Sequence, residues 1–131
     1  MSGNKVVLDS NAIMYASKGL IDAEKLFSLN DTYFASIITF IEVYAYNSIH
    51  PTEKKIIDEI LQNLEIIELN REIADQAIIY RKNKTRKTKL PDAVILASAK
   101  YINADLITDD FKDFKDIDPS IKVLSLDDFR V

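Results

Sequence analysis

Four acidic side chains interrupt otherwise apolar stretches of the sequence: Asp9, Glu42, Asp92 and Asp110. Each stands near a point where an apolar run gives way to residues that favour the start of a helix, which predicts a position near the end of a structural element. In a parallel sheet, the carboxyl ends of the strands and the starts of the following helices lie at one edge. The four carboxylates are therefore candidates to converge at that edge.

A converging group of carboxylates requires a counter-charge. Two carboxylates about 4 Å apart repel each other by about 4 kcal/mol at an effective dielectric constant near 20. A divalent cation turns that repulsion into affinity, and without a cation some of the carboxyl groups should be protonated. The chain has no cysteine and one histidine, His50, expected in a surface loop. This composition excludes thiolate zinc sites, cysteine nucleophiles and histidine-based triads, so oxygen-ligated Mg²⁺ or Mn²⁺ is the expected metal.

Each carboxylate also has a purely structural explanation. Asp9 can serve as a helix cap, and Glu42 fits a capping box that begins at Thr39. Asp92, which follows a proline, can stabilise the dipole of a helix by about 0.3–1 kcal/mol from its first turn. Asp110 can be a loop residue. These explanations weaken only if the four side chains meet.

The pattern of apolar residues predicts strands that alternate with helices. Lys5 is followed by Val6, Val7 and Leu8 without a polar position, which is typical of a strand buried on both faces. Ser10 and Asn11 are expected to cap the next helix. Predicted strands cover residues 5–8, 32–36, 66–69, 104–108 and 121–126. Predicted helices cover 12–16, 22–30, 37–49, 51–64 and 92–99. A further helix is predicted after Asn70, with an inner face formed by Ile73, Ala74, Ala77 and Ile78. This alternation indicates an α/β protein, a three-layer α/β/α sandwich with a central, mainly parallel sheet, formed as one domain by residues 1–131.

Charge is distributed unevenly along the chain. The net charge is −4, with 47% apolar and 29% charged residues, as in a globular protein. One short segment nevertheless holds six basic residues and no acid: Arg81, Lys82, Lys84, Arg86, Lys87 and Lys89. We expect either a phosphate-binding rim beside the carboxylates or a solvated helix end. With no signal-like segment and no run of about 18 apolar residues, a cytoplasmic location without membrane contact is expected.

Four motifs in order resemble those of the PIN-domain family, and more narrowly the toxin ribonucleases of VapC type. They are Val7-Leu8-Asp9-Ser10-Asn11, the segment from Ser36 to Glu42, the segment Leu90-Pro91-Asp92-Ala93 with its apolar continuation, and the segment from Leu106 to Phe114. The resemblance implies that Asp9, Glu42, Asp92 and Asp110 are the catalytic, metal-binding carboxylates. The family acid of the fourth motif stands two positions after the threonine, which favours Asp110 over Asp109. It further implies supporting roles around the metal for Ser10, Asn11, Thr39, Thr108 and Asp113.

From these residues and this resemblance we predict a Mg²⁺- or Mn²⁺-dependent endoribonuclease that cleaves RNA with a metal-activated water. The six basic residues of 81–89 would hold the RNA backbone. Tyr80 and Tyr101 are more consistent with half-buried core positions than with base stacking. The resemblance also implies a homodimer and a cognate antitoxin, for which the apolar helices at 37–46 and 56–64 are candidate grooves or, alternatively, ordinary core.

Three other functions remain as alternatives. The low overall basicity favours a non-catalytic PIN-like module that binds metal or RNA. A phosphoryl-accepting signalling domain would need an aspartate at the end of a middle strand, where Leu69 instead leads into Asn70. A phosphatase of the haloacid-dehalogenase type would need an aspartate two positions after Asp9, where the chain has Asn11.

Overall fold

A computed structural model describes residues 4–28, 32–46 and 50–131. Its strands are β1 (Lys5–Leu8), β2 (Thr32–Ser36), β3 (Glu65–Ile67), β4 (Asp105–Thr108) and β5 (Val123–Ser125). Its α-helices are α1 (Ser10–Ser17), α2 (Ala23–Phe27), α3 (Ile37–Ala45), α4 (Pro51–Gln62), α5 (Arg71–Arg81), α6 (Leu90–Tyr101) and α7 (Phe111–Phe114), and a 3₁₀ helix covers Leu126–Phe129. No helix in these ranges is long and apolar enough to cross a membrane.

The five strands form one parallel sheet in the order β3-β2-β1-β4-β5. The chain moves outward from β1 through β2 to β3 and then returns to the other side of β1 for β4 and β5. In the central strand, Val7 lies opposite Phe34 of β2 and Leu106 of β4. Ligand sites of open α/β sheets occur where the strand order reverses in this way, beyond the carboxyl ends of the strands. Here that place lies between β1 and β4.

Helices cover both faces of the sheet, because β1 sends alternate side chains to opposite sides. Val6 and Leu8 belong to a core cluster with residues of α1, α2 and α4, whereas Val7 belongs to a second cluster with residues of α5 and α6. Every residue from 93 to 99 of α6 is buried. The predicted α/β/α sandwich with a parallel sheet is therefore confirmed.

Local details differ from the sequence prediction at several points. The helix predicted over 37–49 ends at Ala45 in the structure, and residues 47–49 lie outside the described ranges. Ile78, predicted to face the core, is 51% exposed, because the inner face of α5 is formed by Ile73, Ala77 and Tyr80. The four-residue helix α7 and the 3₁₀ helix were not predicted, since such short elements carry too few residues to show a period.

Candidate metal centre

Asp9 lies at the carboxyl end of β1 and connects three elements. Its side chain is 4% exposed, and one oxygen, Oδ1, accepts the backbone N–H of Ala12 in α1 at 3.0 Å. The other oxygen, Oδ2, accepts the hydroxyl of Thr108 from the end of β4 at 2.5 Å. Asp9 therefore caps α1, and the expectation that Ser10 or Asn11 does so is wrong. The same contacts fix the carboxylate at the point where the strand order reverses.

The environment of Asp9 opposes its negative charge. The pKa of Asp9 is raised from 3.8 to about 6, because burial, aided by the nearby charge of Asp110, outweighs the hydrogen bonds from Thr108 and Ala12, which lower it. Within the described residues, Asp9 has no Lys or Arg partner in an ion pair. A buried carboxylate without a basic partner is a typical sign of a functional site.

Glu42 projects from α3 toward the start of α1. The hydroxyl of Ser10 donates a hydrogen bond to Glu42 Oε1 at 2.6 Å. The capping-box explanation for Glu42 is wrong, because α3 begins at Ile37 and is capped by Ser36, whose hydroxyl accepts the backbone N–H of Ile38. Thr39 is fully buried, and its hydroxyl has no hydrogen-bond partner among the described residues. Since Thr39 precedes Glu42 by three positions, the two residues share one face of α3.

Asp92 and Asp110 complete the set of candidate carboxylates. Asp92 lies in the first turn of α6; burial raises its pKa, and so do the charges of Asp110 and Glu42. Burial also raises the pKa of Asp110, and the charges of Asp113 and Asp109 add to this effect. Lys89 acts in the opposite direction on both carboxyl groups. Carboxylates from four parts of the chain are thus within electrostatic range of one another.

The donor set fits a hard divalent cation, although it is not closed around a single point. Among the described residues, no three or more His, Asp or Glu side chains form a group already arranged to hold a metal ion. Side chains that repel one another are expected to remain apart until a cation neutralises them. The donors are all carboxylate oxygens, the charges of Asp110 and Glu42 raise the pKa of Asp92, and a buried hydroxyl with no hydrogen-bond partner among the described residues, that of Thr39, belongs to the same helix face as Glu42. These features suit Mg²⁺ or Mn²⁺.

The remaining predicted supporting residues lie around this edge. Thr108 holds Asp9 and also accepts the backbone N–H of Asp110 at 2.9 Å. Asn11 lines a groove of about 290 Å³ between α1 and α3 together with Ser10, Glu42 and other residues. Asp113 is exposed on α7 and lines, with Asp110, a cavity of about 390 Å³. No observation tests the roles assigned to these side chains, so the roles remain predictions.

The six basic residues of the segment 81–89 divide into two groups. Arg81 donates to the carbonyl of Thr88 at 3.2 Å, and Arg86 donates to two carbonyls at the end of α7, one of them that of Lys115 at 3.0 Å. These two guanidinium groups therefore fasten the segment to the fold. The side-chain ammonium groups of the other four make no hydrogen bond or ion pair with any residue in the described ranges: Lys82, Lys84, Lys87 and Lys89. Lys89 is nearest to the carboxylates, because it immediately precedes α6.

One cluster beside the carboxylates was not found from the sequence. Arg130 Nη2 lies 2.5 Å from Asp109 Oδ1, and the hydroxyl of Tyr15 donates to Asp109 Oδ2 at 3.3 Å. These residues are separated by 21 and 94 positions in the chain, and nothing in their local sequence indicates that they meet. Tyr80, by contrast, is buried as expected and donates its hydroxyl to Asp118 at 2.6 Å.

Comparison with known proteins gives one family and a set of similar structures. A family model described as the PIN domain matches residues 6–119. A toxin–antitoxin complex from Klebsiella pneumoniae has a chain with 28% identity and a TM-score of 0.77, covering 96% of this chain and 99% of that chain. The DNA-bound VapBC complex from Salmonella typhimurium gives 20% identity, a TM-score of 0.79 and coverages of 95% and 99%. VapBC2 from Rickettsia felis, bound to a promoter DNA fragment, has 24% identity and a TM-score of 0.77, and the match covers 92% of this chain and 98% of that chain. No curated protein matches the chain.

Proposed function

The chain belongs to the PIN-domain family, and from this membership we propose that it is a divalent-metal-dependent endoribonuclease, the toxin of a toxin–antitoxin pair. The family match confirms the resemblance drawn from the four sequence motifs. The observation that supports the proposal is that carboxylates from β1, α3, α6 and the end of β4 lie within electrostatic range of one another near the place where the strand order reverses. The chain as a whole, residues 1–131, is proposed to form one PIN-like domain.

The proposed metal ligands are Asp9, Glu42, Asp92 and Asp110. Bound Mg²⁺ or Mn²⁺ supplies Lewis acidity toward a phosphate and lowers the pKa of a water molecule. The protein's own contribution is to fix the carboxylates: Thr108 and the start of α1 hold Asp9, and Ser10 holds Glu42. Asn11, Thr39 and Asp113 are proposed to orient ligands or water near the metal. Because no histidine or cysteine lies at this edge, the attacking group is proposed to be water.

RNA is the proposed substrate. The ammonium groups of these four lysines make no hydrogen bond or ion pair with the described residues and are suited to bind the phosphate backbone: Lys82, Lys84, Lys87 and Lys89. Lys89 adjoins α6, which carries Asp92, so a strand held by Lys89 would pass close to the carboxylates. The sequence pattern groups Arg81 and Arg86 with these lysines. Because their guanidinium groups donate hydrogen bonds to carbonyl groups, the two arginines are instead proposed to support the loop.

An antitoxin is the proposed protein partner. The Klebsiella structure is described as a toxin–antitoxin complex, and the Salmonella and Rickettsia structures are described as VapBC and VapBC2 bound to DNA. In this chain α3 exposes Phe40, Ile41 and Tyr44, while Ile57 and Leu61 of α4 are buried. The groove between α1 and α3 has its own apolar lining, from Met14, Val43 and Tyr46 beside Glu42, and a segment bound there would cover the carboxylate edge.

A homodimer and a cytoplasmic location complete the proposal. Leu69, Ile78, Ile79 and Leu90 are each at least half exposed, and three of them line an apolar groove of about 390 Å³ between α5 and α6. Exposed apolar patches of this kind are typical of protein–protein contacts. Light scattering coupled to gel filtration would measure the mass in solution, and a monomer at micromolar concentration would contradict the dimer.

The main alternative is a non-catalytic PIN-like module that binds metal or RNA. The net charge of −4 is the observation that favours it, because nucleic-acid-binding proteins are usually basic. The carboxylates argue against it, since all four motif positions carry an acid.

The deciding experiment is cleavage of a mixed RNA pool by the purified protein with Mn²⁺, Mg²⁺ or EDTA. Asp9→Asn protein, and as a matched control Asp75→Asn, which removes an exposed carboxylate on α5, would be purified and assayed in the same way. We expect metal-dependent cleavage that is lost in Asp9→Asn and retained in Asp75→Asn. Calorimetric binding of Mn²⁺ and RNA without cleavage under any condition would favour the non-catalytic module.

A further inference from the structure

We propose that Arg130, together with Tyr15, holds Asp109 away from the metal-binding edge, so that only Asp110 of this doubled aspartate serves the metal. Arg130 is then a positioning residue for the site. The choice of Asp110 as the metal ligand rests on the proposed metal-dependent function. The contacts of Arg130 and Tyr15 with Asp109, called the clamp below, are among described residues.

Both carboxylate oxygens of Asp109 have a partner, a guanidinium for one and a hydroxyl for the other. Oδ1 lies 2.5 Å from Arg130 Nη2, and Oδ2 accepts the hydroxyl of Tyr15 at 3.3 Å. The side chain of Asp109 is 17% exposed, so this ion pair is partly shielded from water. The Arg130 side chain is 43% exposed, so the shielding is on the side of the carboxylate and salt still reaches the guanidinium. A metal ion would have to displace a guanidinium before it could take Asp109 as a ligand.

Asp110 presents the opposite situation. Its carboxylate makes no hydrogen bond and no ion pair with any residue in the described ranges. Its backbone N–H is fixed instead, because it donates to the hydroxyl of Thr108, the same hydroxyl that donates to Asp9 Oδ2. Thr108 therefore connects the backbone of Asp110 to the buried carboxylate of Asp9. Of the two neighbouring aspartates, Asp110 has the unneutralised charge and the link to Asp9.

Arg130 is itself fixed by several contacts. Its Nε lies 2.8 Å from Asp127 Oδ1, and its guanidinium lies over the ring of Tyr15 with 5.7 Å to the ring centroid. Its backbone forms an isolated antiparallel bridge with Ile21, which follows α1. A planar guanidinium can serve two carboxylates and a ring at once, whereas an ammonium group acts as a point charge. The side chain thus joins the 3₁₀ helix, α1 and the end of β4 around Asp109.

The test uses Mn²⁺ binding by calorimetry and urea unfolding on the full chain. The variants are Asp109→Asn, Asp110→Asn, Arg130→Gln and the double variant Asp109→Asn/Arg130→Gln. The two aspartate variants have equal net charge. We expect Asp110→Asn to raise the Mn²⁺ dissociation constant at least about tenfold, as expected for loss of a ligand. The double variant, which restores the original net charge, should remain within about threefold of the wild type.

Arg130→Gln has its own expected result. It leaves the Asp109 carboxylate unpaired beside the site, so Mn²⁺ should bind more tightly by about threefold or more, and adding Asp109→Asn should remove that gain. A merely structural role for Arg130 would lower stability in urea without any Asp109-dependent change in Mn²⁺ affinity. A tenfold loss in the double variant, with little loss in Asp110→Asn, would overturn the inference and make Asp109 the ligand.

Failure of the proposed function gives a different result. If the wild type binds no Mn²⁺, the metal-dependent function is wrong, and the clamp is then decided by unfolding alone. A double-mutant cycle between Asp109 and Arg130 in urea should give a non-zero coupling if the clamp exists. Strictly additive effects of the two substitutions would overturn it.

Discussion

Replacing Asp9 with asparagine is predicted to stabilise the metal-free protein near neutral pH. Burial raises the pKa of Asp9 from 3.8 to about 6, and the charge of Asp110 contributes in the same direction. This difference of about two units corresponds to about 3 kcal/mol of stability that the ionised side chain removes. Asparagine has no charge to desolvate, but its amide suits the Thr108 hydroxyl less well, at a cost of about 1 kcal/mol. We therefore expect a net gain of about 2 kcal/mol.

The sign of the pH dependence follows from the direction of the shift. Because the folded protein binds the Asp9 proton more tightly than the unfolded chain does, the destabilisation is absent below pH 3.8 and complete above about pH 6. Roughly half of it should be present at pH 5. The advantage of Asp9→Asn over the wild type should accordingly grow by about 1.5 kcal/mol between pH 5 and pH 7.5. Comparing the two proteins cancels the contribution of Asp92, which both contain, whereas the repulsion between Asp9 and Asp110 is part of the difference that is measured.

Urea unfolding in EDTA at the two pH values measures this difference. Asp22→Asn is a matched control, because Asp22 caps α2 by the same 3.0 Å bond from a backbone N–H but is exposed. That control should change stability by less than about 0.5 kcal/mol at either pH. Adding Mn²⁺ at about 100 times its dissociation constant should stabilise the wild type by about 2.7 kcal/mol and reverse the order. A wild type more stable than Asp9→Asn in EDTA at pH 7.5 would refute the reasoning.

Three further substitutions test the surroundings of the site. Arg86→Ala removes the hydrogen bonds to carbonyls at the end of α7, and urea unfolding should show that the free energy of unfolding falls by about 1–2 kcal/mol. In the control Lys84→Ala it should fall by less than about 0.5 kcal/mol. Lys89→Ala should weaken RNA binding and reduce the slope of log affinity against log salt by about 0.7–1, and an unchanged slope would exclude a phosphate contact. Tyr80→Phe should cost about 1–2 kcal/mol at pH 7 through the lost bond to Asp118. That loss should shrink in acid, because hydrogen bonds outweigh burial and hold the pKa of Asp118 well below its usual value, so its contribution disappears as the pH falls below 3.8.

The parts of the fold that were predictable from sequence are those with a strong local pattern. The run from Val6 to Leu8 has no polar position and forms the central strand, and the apolar residues after Pro91 form a helix that is buried all round. The order of these elements, with a carboxylate at each junction, was enough to predict a parallel sheet with acidic residues at one edge. Such patterns depend on residues that are neighbours in the chain or one helical turn apart.

The parts that were not predictable depend on contacts between distant segments. Sequence pattern gives no means of telling that Arg86 bonds to carbonyls of α7 while Lys84 remains without a partner. The pairing of Arg130 with Asp109 likewise depends on how the 3₁₀ helix returns to the end of β4. The cap of α1 was assigned wrongly because Ser10 and Asp9 are both good caps, and only the position of Thr108 shows which of them is buried.

The same contacts explain how an acidic chain can be suited to an anionic substrate. The net charge of −4 includes carboxylates whose charges raise the pKa values of Asp92 and Asp110 at the edge of the sheet, and a divalent cation bound there would reverse the local sign of the charge. Lys89 stands at the start of α6, next to Asp92, so attraction from this lysine and from a bound cation would act on neighbouring phosphates. Without the cation, the edge should repel RNA. RNA binding by the wild type should therefore strengthen on addition of Mn²⁺, while in Asp9→Asn it should depend on the lysines alone.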